Sequence, residues 1–164
     1  MIRLCVFLAA TVIPASAQAL SCLPWGVTDA YLEAAASDDP YLVVAGKLSF
    51  DEGLLPVTDW ERQQETPPLT AISARLEGKS LTSHGFSQVF GGDLLLEIGC
   101  AGPWCAGAKS GVDYVAFVEL RGETGVVTVG PCGGNLFDAS SPEVTQQVLS
   151  CHKGNVCKPL AGEN

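Results

Sequence analysis

The chain has 164 residues, of which 9 are lysine or arginine and 18 are aspartate or glutamate, so its net charge is −9. Between residues 22 and 65 only Lys47 and Arg62 are basic, against nine carboxylates. Binding to nucleic acid or to an anionic lipid surface needs clustered cations, so we expect neither as a partner. The length suits one domain with one core.

The N-terminal residues follow the three-part plan of a secretory signal peptide. Arg3 precedes an apolar run over residues 4–13, and a proline and small residues up to Ala17 follow it. This run is shorter than the roughly 20 residues that a transmembrane helix needs, which disfavours a membrane anchor. We predict that residues 1–17, within a few residues, are a signal peptide. Residues 18–164 are predicted to form a single domain that is periplasmic or secreted.

A helix and then a strand are predicted after the signal peptide. Residues 27–36 are rich in helix-forming residues, and Thr28 or Asp29 is expected to cap the first turn. An Asp-Asp-Pro sequence ends this helix. Residues 41–50 place apolar side chains on one side, which is typical of a strand, and Gly46 permits a bend or bulge there.

Residues 51–68 have the composition of a loop, because they are polar, acidic and contain three prolines. Loops of this length are uncommon in compact domains and are often functional or mobile. The segment is therefore a candidate binding segment.

The middle of the chain predicts a series of short strands. Residues 70–80 alternate between apolar and polar side chains, as a half-buried strand does. Turns are predicted at the Gly91-Gly92 pair and at Arg121-Gly122-Glu123. The short spacing makes the neighbouring strands antiparallel. The further strands are predicted at residues 86–90, 93–98, 112–120 and 125–129.

A second helix is predicted to begin with Ser141 as its cap and Pro142 at its first position. Val144, Val148 and Cys151 follow at helical spacing, and Gly154 ends the helix. The order of helix, five or six strands and helix predicts a mainly β fold, a small closed or nearly closed barrel with flanking helices.

Cysteine usage indicates an oxidising compartment. Removal of the signal peptide discards Cys5 and leaves six of the seven cysteines, an even number that implies disulfides. Lipid attachment at Cys22 is a disfavoured alternative, since Ala19 stands where leucine is preferred. Of the many possible pairings, the spacing favours Cys22 with Cys132, Cys100 with Cys105, and Cys151 with Cys157.

The layout of these features resembles the netrin-like domain. It comprises an early cysteine, a helix, the strand VVAGKLSF, a strand ending in GKSL, Cys100, the strand GVDYVAFVEL, a strand ending in Cys132 and a helix bearing Cys151. The resemblance covers most of the mature chain. It implies the OB-type barrel of the tissue inhibitors of metalloproteinases, a disulfide-stapled, five- to six-stranded antiparallel Greek-key barrel.

The same resemblance implies a non-enzymatic binding module. The most specific function that it implies is inhibition of a metalloprotease. In the animal inhibitors the mature chain begins with a cysteine that chelates the protease zinc. Here, cleavage after Ala17 leaves four residues before Cys22. The family also begins with Cys-X-Cys, whereas Cys22 is followed by Leu23, Pro24 and Trp25.

Catalytic and metal motifs are weak in this sequence. Four residues separate Cys100 from Cys105, whereas thiol oxidoreductases have two, so we expect a structural disulfide. His152 lies between Cys151 and Cys157, which matches neither haem attachment nor a zinc site. No cofactor or metal is therefore expected.

Two other functional classes compete with a binding module. The first is a small extracytoplasmic hydrolase that uses His84, although no G-x-S-x-G motif is present. The second is a structural accessory of an envelope complex. The serines considered as nucleophiles for the hydrolase are Ser80, Ser83 and Ser87.

The partner-binding residues predicted from the sequence lie beside two of the expected disulfides. An exposed Trp104 is expected to anchor a protein partner, such as a protease. The whole candidate set is Cys22, Leu23, Pro24 and Trp25 near the mature N-terminus, and Pro103 and Trp104 between Cys100 and Cys105.

Overall fold

The computed structural model of the chain describes residues 21–160. The predicted signal peptide, residues 1–17, lies outside the described residues and stays a prediction. Within residues 21–160, no helix has both the length and the apolar character needed to cross a membrane.

The first helix and the first strand have the predicted bounds. Helix α1 spans Val27–Ala36 and strand β1 spans Tyr41–Phe50. Gly26 occupies the N-cap position, and of the two predicted capping residues it is Asp29 that closes the first turn, from the third helical position. The Asp29 carboxylate accepts hydrogen bonds from the N–H of Gly26 at 2.9 Å and of Leu160 at 3.1 Å. This carboxylate therefore closes the start of α1 and also holds the C-terminal segment against it.

Two long strands follow the loop. Strand β2 spans Leu69–Thr82, and its predicted alternation is confirmed by the burial of Ile72, Ala74 and Leu76. Strand β3 runs without interruption over Gly85–Ala101, so the predicted turn at Gly91-Gly92 is wrong.

The glycine pair continues the strand because its neighbours on β2 hold it extended. Gly91 is paired with Glu77 and Gly92 with Leu76 in an unbroken register. A Cβ atom on Gly92 would be in ordinary contact with the ring of Phe90, at 3.5 Å.

The remaining elements include three short strands that the sequence did not predict. These are β4 (Trp104–Cys105), β7 (Gly133–Gly134) and β8 (Leu136–Asp138). The predicted strands and helix in this region are β5 (Val112–Arg121), β6 (Thr124–Gly130) and α2 (Pro142–His152). The loop between β1 and β2 also contains two single-turn 3-10 helices, at Glu52–Leu54 and Gln63–Glu65.

The eight strands form one sheet in the order β4-β3-β2-β1-β5-β6-β7, with β8 paired to β5. Neighbouring strands along this path are antiparallel, including β1 with β5, which no short connection joins. In addition, β3 pairs in parallel with β6, with Leu94 opposite Gly125 and Ile98 opposite Val129. The parallel pair is an exception to the antiparallel prediction.

Strand β5 separates two hydrophobic clusters, because alternate side chains of a strand point to opposite faces. Tyr114, Ala116 and Val118 join a large cluster with residues of β1, β2, β3 and β6. Val115 and Phe117 join a smaller cluster with residues of both helices. The helices therefore cover one face of the sheet, and the main core lies against the other.

Three disulfides join the pairs that the spacing favours: Cys22–Cys132, Cys100–Cys105 and Cys151–Cys157. The first links residues 110 positions apart and ties the start of the described chain to the end of β6. The other two close short loops.

Candidate functional site

Two of the three disulfides lie at the same end of the sheet. Strands β3 and β6 run in parallel, and their register places Ile98 beside Val129. Both strands end a few residues later, β3 near Cys100 and β6 just before Cys132. A side chain on Gly99 would lie 3.3 Å from the carbonyl oxygen of Val129, so the two chain ends are in close contact.

Two tryptophans are exposed at this end. Trp60 in the loop is 63% exposed, and Trp104 in β4 is 39% exposed. Their rings meet edge to face, with centroids 6.4 Å apart and an interplanar angle of 88°. Two further exposed apolar residues lie nearby: Val57, which precedes Thr58 of the same loop, and Leu69, which pairs with Gly99. We refer to Val57, Trp60, Leu69 and Trp104 as the tryptophan edge.

The loop that carries Trp60 is fastened to the sheet. The hydroxyl of Thr58 donates a hydrogen bond to the Pro103 carbonyl at 2.9 Å and lies 3.7 Å from the Cys105 sulfur. Leu55 packs against the main core, and the Glu52 carboxylate accepts a hydrogen bond from the Ser110 N–H. The loop conformation is therefore held in place before any partner binds.

The loop that carries Trp60 is acidic. The loop contains five carboxylates and one cation, Arg62. The guanidinium of Arg62 lies 2.8 Å from the Asp59 carboxylate and 3.1 Å from that of Glu65, so its charge is already neutralised. A partner that carries basic groups around an apolar centre would complement this surface.

The structure separates the predicted partner-binding residues into exposed and anchored groups. Cys22, Leu23 and Pro24 are exposed, with Leu23 at 76%. The Trp25 indole N–H donates a hydrogen bond to the Gly134 carbonyl at 3.0 Å, and its ring packs on the second cluster. Pro103 is buried. Trp25 and Pro103 are therefore anchored in the structure and are less available to a partner than Cys22, Leu23 and Pro24.

The sequence did not single out Trp60, which is the more exposed tryptophan of the pair. The sequence feature that could have identified Trp60 is its position as a large aromatic residue in an otherwise polar, proline-rich loop. Only the fold shows that this loop returns to the Cys100–Cys105 hairpin, through the hydrogen bond of Thr58 to Pro103.

The residues of the hydrolase hypothesis lie in and around the turn between β2 and β3. His84 is exposed in the turn between β2 and β3. The Ser80 hydroxyl is buried and donates to the Gln88 carbonyl, and the Ser87 hydroxyl lies 2.7 Å from that of Thr82. Within the described part of the chain, no hydrogen bond joins the His84 ring to Ser80, Ser83 or Ser87. No group of three or more His, Cys, Asp or Glu residues among residues 21–160 has a metal-binding arrangement.

No protein-family model, characterised protein or solved structure gives a significant match to this chain. The resemblance to the netrin-like domain therefore stays a prediction.

Proposed function

We propose that this protein is a disulfide-stabilised, extracytoplasmic binding module that contacts a protein partner through the tryptophan edge. The observation that carries the proposal is the exposed edge-to-face pair formed by Trp60, on a fastened loop, and Trp104 of β4. Tryptophan is enriched among the residues that contribute most to protein–protein affinity. A site that is ordered before binding also loses less conformational entropy when it binds.

The proposed architecture is an OB-type barrel. Its support is the set of strand pairings, which lead from β1 to β2, β3, β6 and β5 and back to β1. An OB fold is a five-stranded Greek-key barrel that binds ligands through a strand face and its adjoining loops. The location of the tryptophan edge on a loop and a hairpin is consistent with this mode of binding.

The proposed location is the periplasm or the extracellular space. Three disulfides are compatible with an oxidising compartment, and the predicted signal peptide provides a route to it. The intact mass of the exported protein checks this proposal, because cleavage after Ala17 leaves a chain that begins at Gln18. Retention of residues 1–17 in the mature protein would contradict it.

Inhibition of a metalloprotease is the narrower version of the proposal, and its support is the resemblance alone. The exposed segment Cys22–Pro24 lies at the same end of the sheet as the tryptophan edge, so both are available to one partner. Titration of a zinc protease with the purified protein tests this version. A stable, stoichiometric complex with an envelope protein and no inhibition would favour a structural accessory instead.

Site-specific photocrosslinking in the producing cells tests the binding proposal. A benzophenone amino acid replaces Val57 in the tryptophan edge or, as a control, Val89 on β3; these side chains are 87% and 81% exposed. Val89 is ten residues from Gly99 along β3, which corresponds to about 30 Å. We expect a defined protein adduct from position 57 and none from position 89.

The protein identified by crosslinking is then purified, and its affinity for the wild-type chain is compared with its affinity for variants. We expect Trp60→Ala and Trp104→Ala each to weaken binding by about 30-fold or more, as interface hot spots do, and Val89→Ala to leave it unchanged. Wild-type affinity in both tryptophan variants would overturn the proposal. The same adducts from positions 57 and 89 would also overturn it.

A further inference from the structure

A groove opens at the opposite end of β1, where this strand separates from β2. The pairing of the two strands begins at Phe50 and Ala74 and ends at Val44 and Ser80. Directly beyond this point, β2 has a register irregularity against β3, between Ser80 and Leu81. Residues 41–43 of β1 are therefore paired only with β5, and their other edge faces the gap.

The helices form the outer walls of this gap. The resulting groove has a volume of about 200 Å³. This is below the roughly 300–1,000 Å³ of sites for drug-sized ligands, so the groove suits a small molecule. Its walls include Tyr31 and Ala35 of α1, Tyr41 and Val43 of β1, Leu81 of β2 and His152 of α2.

The groove combines an apolar wall with a few fixed polar groups, which is the usual composition of a small-molecule site. Val43, Leu81 and the alanine of α1 provide the apolar surface. The Tyr31 hydroxyl is held 3.2 Å from Nδ1 of His152, so the two polar side chains fix each other's position. Tyr41 adds a second aromatic ring and a second hydroxyl.

The electrostatic environment of the groove favours a positively charged ligand. Three carboxylates lie close to the groove in the chain or in the strand register: Glu33 lies on α1 between Tyr31 and Ala35, Asp39 lies two residues before Tyr41, and Glu119 pairs with Tyr41. Burial raises the pKa of Tyr41, and these carboxylates raise it further. The positive charge of Arg121 acts in the opposite direction and lowers the pKa of Tyr41. However, the Arg121 guanidinium lies 2.8 Å from Glu119 and 3.0 Å from Glu97. Its charge is therefore largely compensated, and aromatic rings also attract cations.

We propose that this groove binds a small amphiphilic amine, with its apolar body between Tyr31, Tyr41 and Leu81 and its ammonium group toward the carboxylates of Glu33 and Asp39. The site is separate from the tryptophan edge, since the two lie at opposite ends of β1, about 30 Å apart along the strand. The inference therefore does not depend on the proposed protein partner.

Calorimetric titration of the exported protein with three probes of matched size tests the proposal. The probes are phenethylamine, 2-phenylethanol and 3-phenylpropionate, which are cationic, neutral and anionic at neutral pH. We expect saturable binding of phenethylamine, at least about fivefold weaker binding of 2-phenylethanol and the weakest binding of 3-phenylpropionate. Added salt should weaken binding of the amine, because the attraction is electrostatic. Equal affinity for the three probes, or no saturation by any, would overturn the proposal.

Two exposed alanines of α1 provide a matched pair of variants that locate the site. Ala35 lines the groove, whereas Ala36, the next residue, does not. We expect Ala35→Leu to fill the groove and reduce phenethylamine binding at least tenfold, with Ala36→Leu unchanged. Because both positions are exposed, both variants should fold, which circular dichroism verifies. Wild-type binding by Ala35→Leu would contradict this location.

Discussion

Gly46 and Gly78 face each other across β1 and β2 with no room for a side chain between them. A Cβ atom on Gly78 would lie 2.5 Å from the Cα of Gly46 and would also collide with the Ala45 carbonyl oxygen. Both obstacles are backbone atoms, so they cannot move aside as a flexible side chain can. The glycine pair therefore permits a close approach of β1 and β2 at this point of their pairing.

Gly78→Ala should consequently destabilise the protein by about 1–3 kcal/mol, as overpacking a well-packed core does. Gly107→Ala is the matched control, because a Cβ atom there meets nothing within 4 Å. Urea unfolding measures both variants. Equal urea midpoints for the two variants would show that β1 and β2 can move apart at this position without loss of stability.

A second residue-scale feature is the ion cluster around Arg121. Its guanidinium binds Glu119 through two hydrogen bonds of 2.8 Å and Glu97 through bonds of 3.0 and 3.1 Å. The Glu97 carboxylate also accepts a hydrogen bond from the Thr128 hydroxyl at 3.0 Å. The cluster thus connects β5, β3 and β6 at the parallel pairing.

The hydrogen bonds from Arg121 hold the pKa of the Glu119 carboxyl below its ordinary value of 4.5, against a smaller opposite effect of burial. A carboxyl with a lowered pKa in the folded state stabilises that state above pH 4.5, and this stabilisation is lost as the pH falls through the lowered pKa. Arg121→Met should therefore reduce the free energy of unfolding at pH 7, and its difference from wild type should shrink below pH 4.5.

Unfolding by urea between pH 7 and pH 2.5 measures this difference. Arg75→Met is the control, because its ion-pair partners Glu77 and Asp93 are well exposed, and exposed pairs contribute little. A constant difference across the pH range would exclude the proposed role of the Arg121 cluster.

At the scale of elements, the fully buried side chain of α2 is Val148. Val148 packs in the cluster that contains Val27 and Ala30 of α1 and Val115 and Phe117 of β5. This contact explains why the apolar spacing in the sequence predicted the helix correctly.

Val148→Ala should lower the free energy of unfolding by on the order of 2 kcal/mol, since it leaves a cavity between α2 and β5. Val156→Ala, at a position that is 76% exposed, should have almost no effect. Thermal unfolding followed by circular dichroism compares them. Equal transition temperatures would indicate that α2 contributes little to the packing of the sheet.

At the scale of the whole molecule, the Cys22–Cys132 disulfide closes the longest loop, with a sequence separation of 110 residues. In the chain-entropy model, a disulfide stabilises by restricting the unfolded state, and longer loops give more stabilisation. The Cys100–Cys105 bond spans only five residues and mainly shapes the hairpin that presents Trp104.

Replacing Cys22 and Cys132 together by serine should therefore cost about 2–5 kcal/mol of stability. The corresponding change at Cys100 and Cys105 should cost less but disturb the contact between Trp60 and Trp104. Guanidinium unfolding and tryptophan fluorescence measure the two effects. A larger loss of stability from the Cys100 and Cys105 pair would contradict the expected dependence on loop length.

The sequence by itself determined the elements whose signals are local. Apolar alternation identified β2, helix-forming residues and a proline identified α1 and α2, and cysteine spacing favoured the observed pairs. These signals depend on neighbouring residues and on the periods of the helix and the strand, so they can be recognised in the sequence before the tertiary structure is known.

Only the tertiary structure decided how distant segments meet. The Gly91-Gly92 pair predicts a turn locally, but the register with β2 holds it extended. The parallel contact of β3 with β6, and the meeting of Trp60 with Trp104, join residues about 30 to 45 positions apart. Such contacts result from packing and pairing across the whole chain, which no local pattern encodes. The candidate site depends on them, so the sequence offered Trp104 as a candidate but did not offer Trp60, which meets it only in the fold.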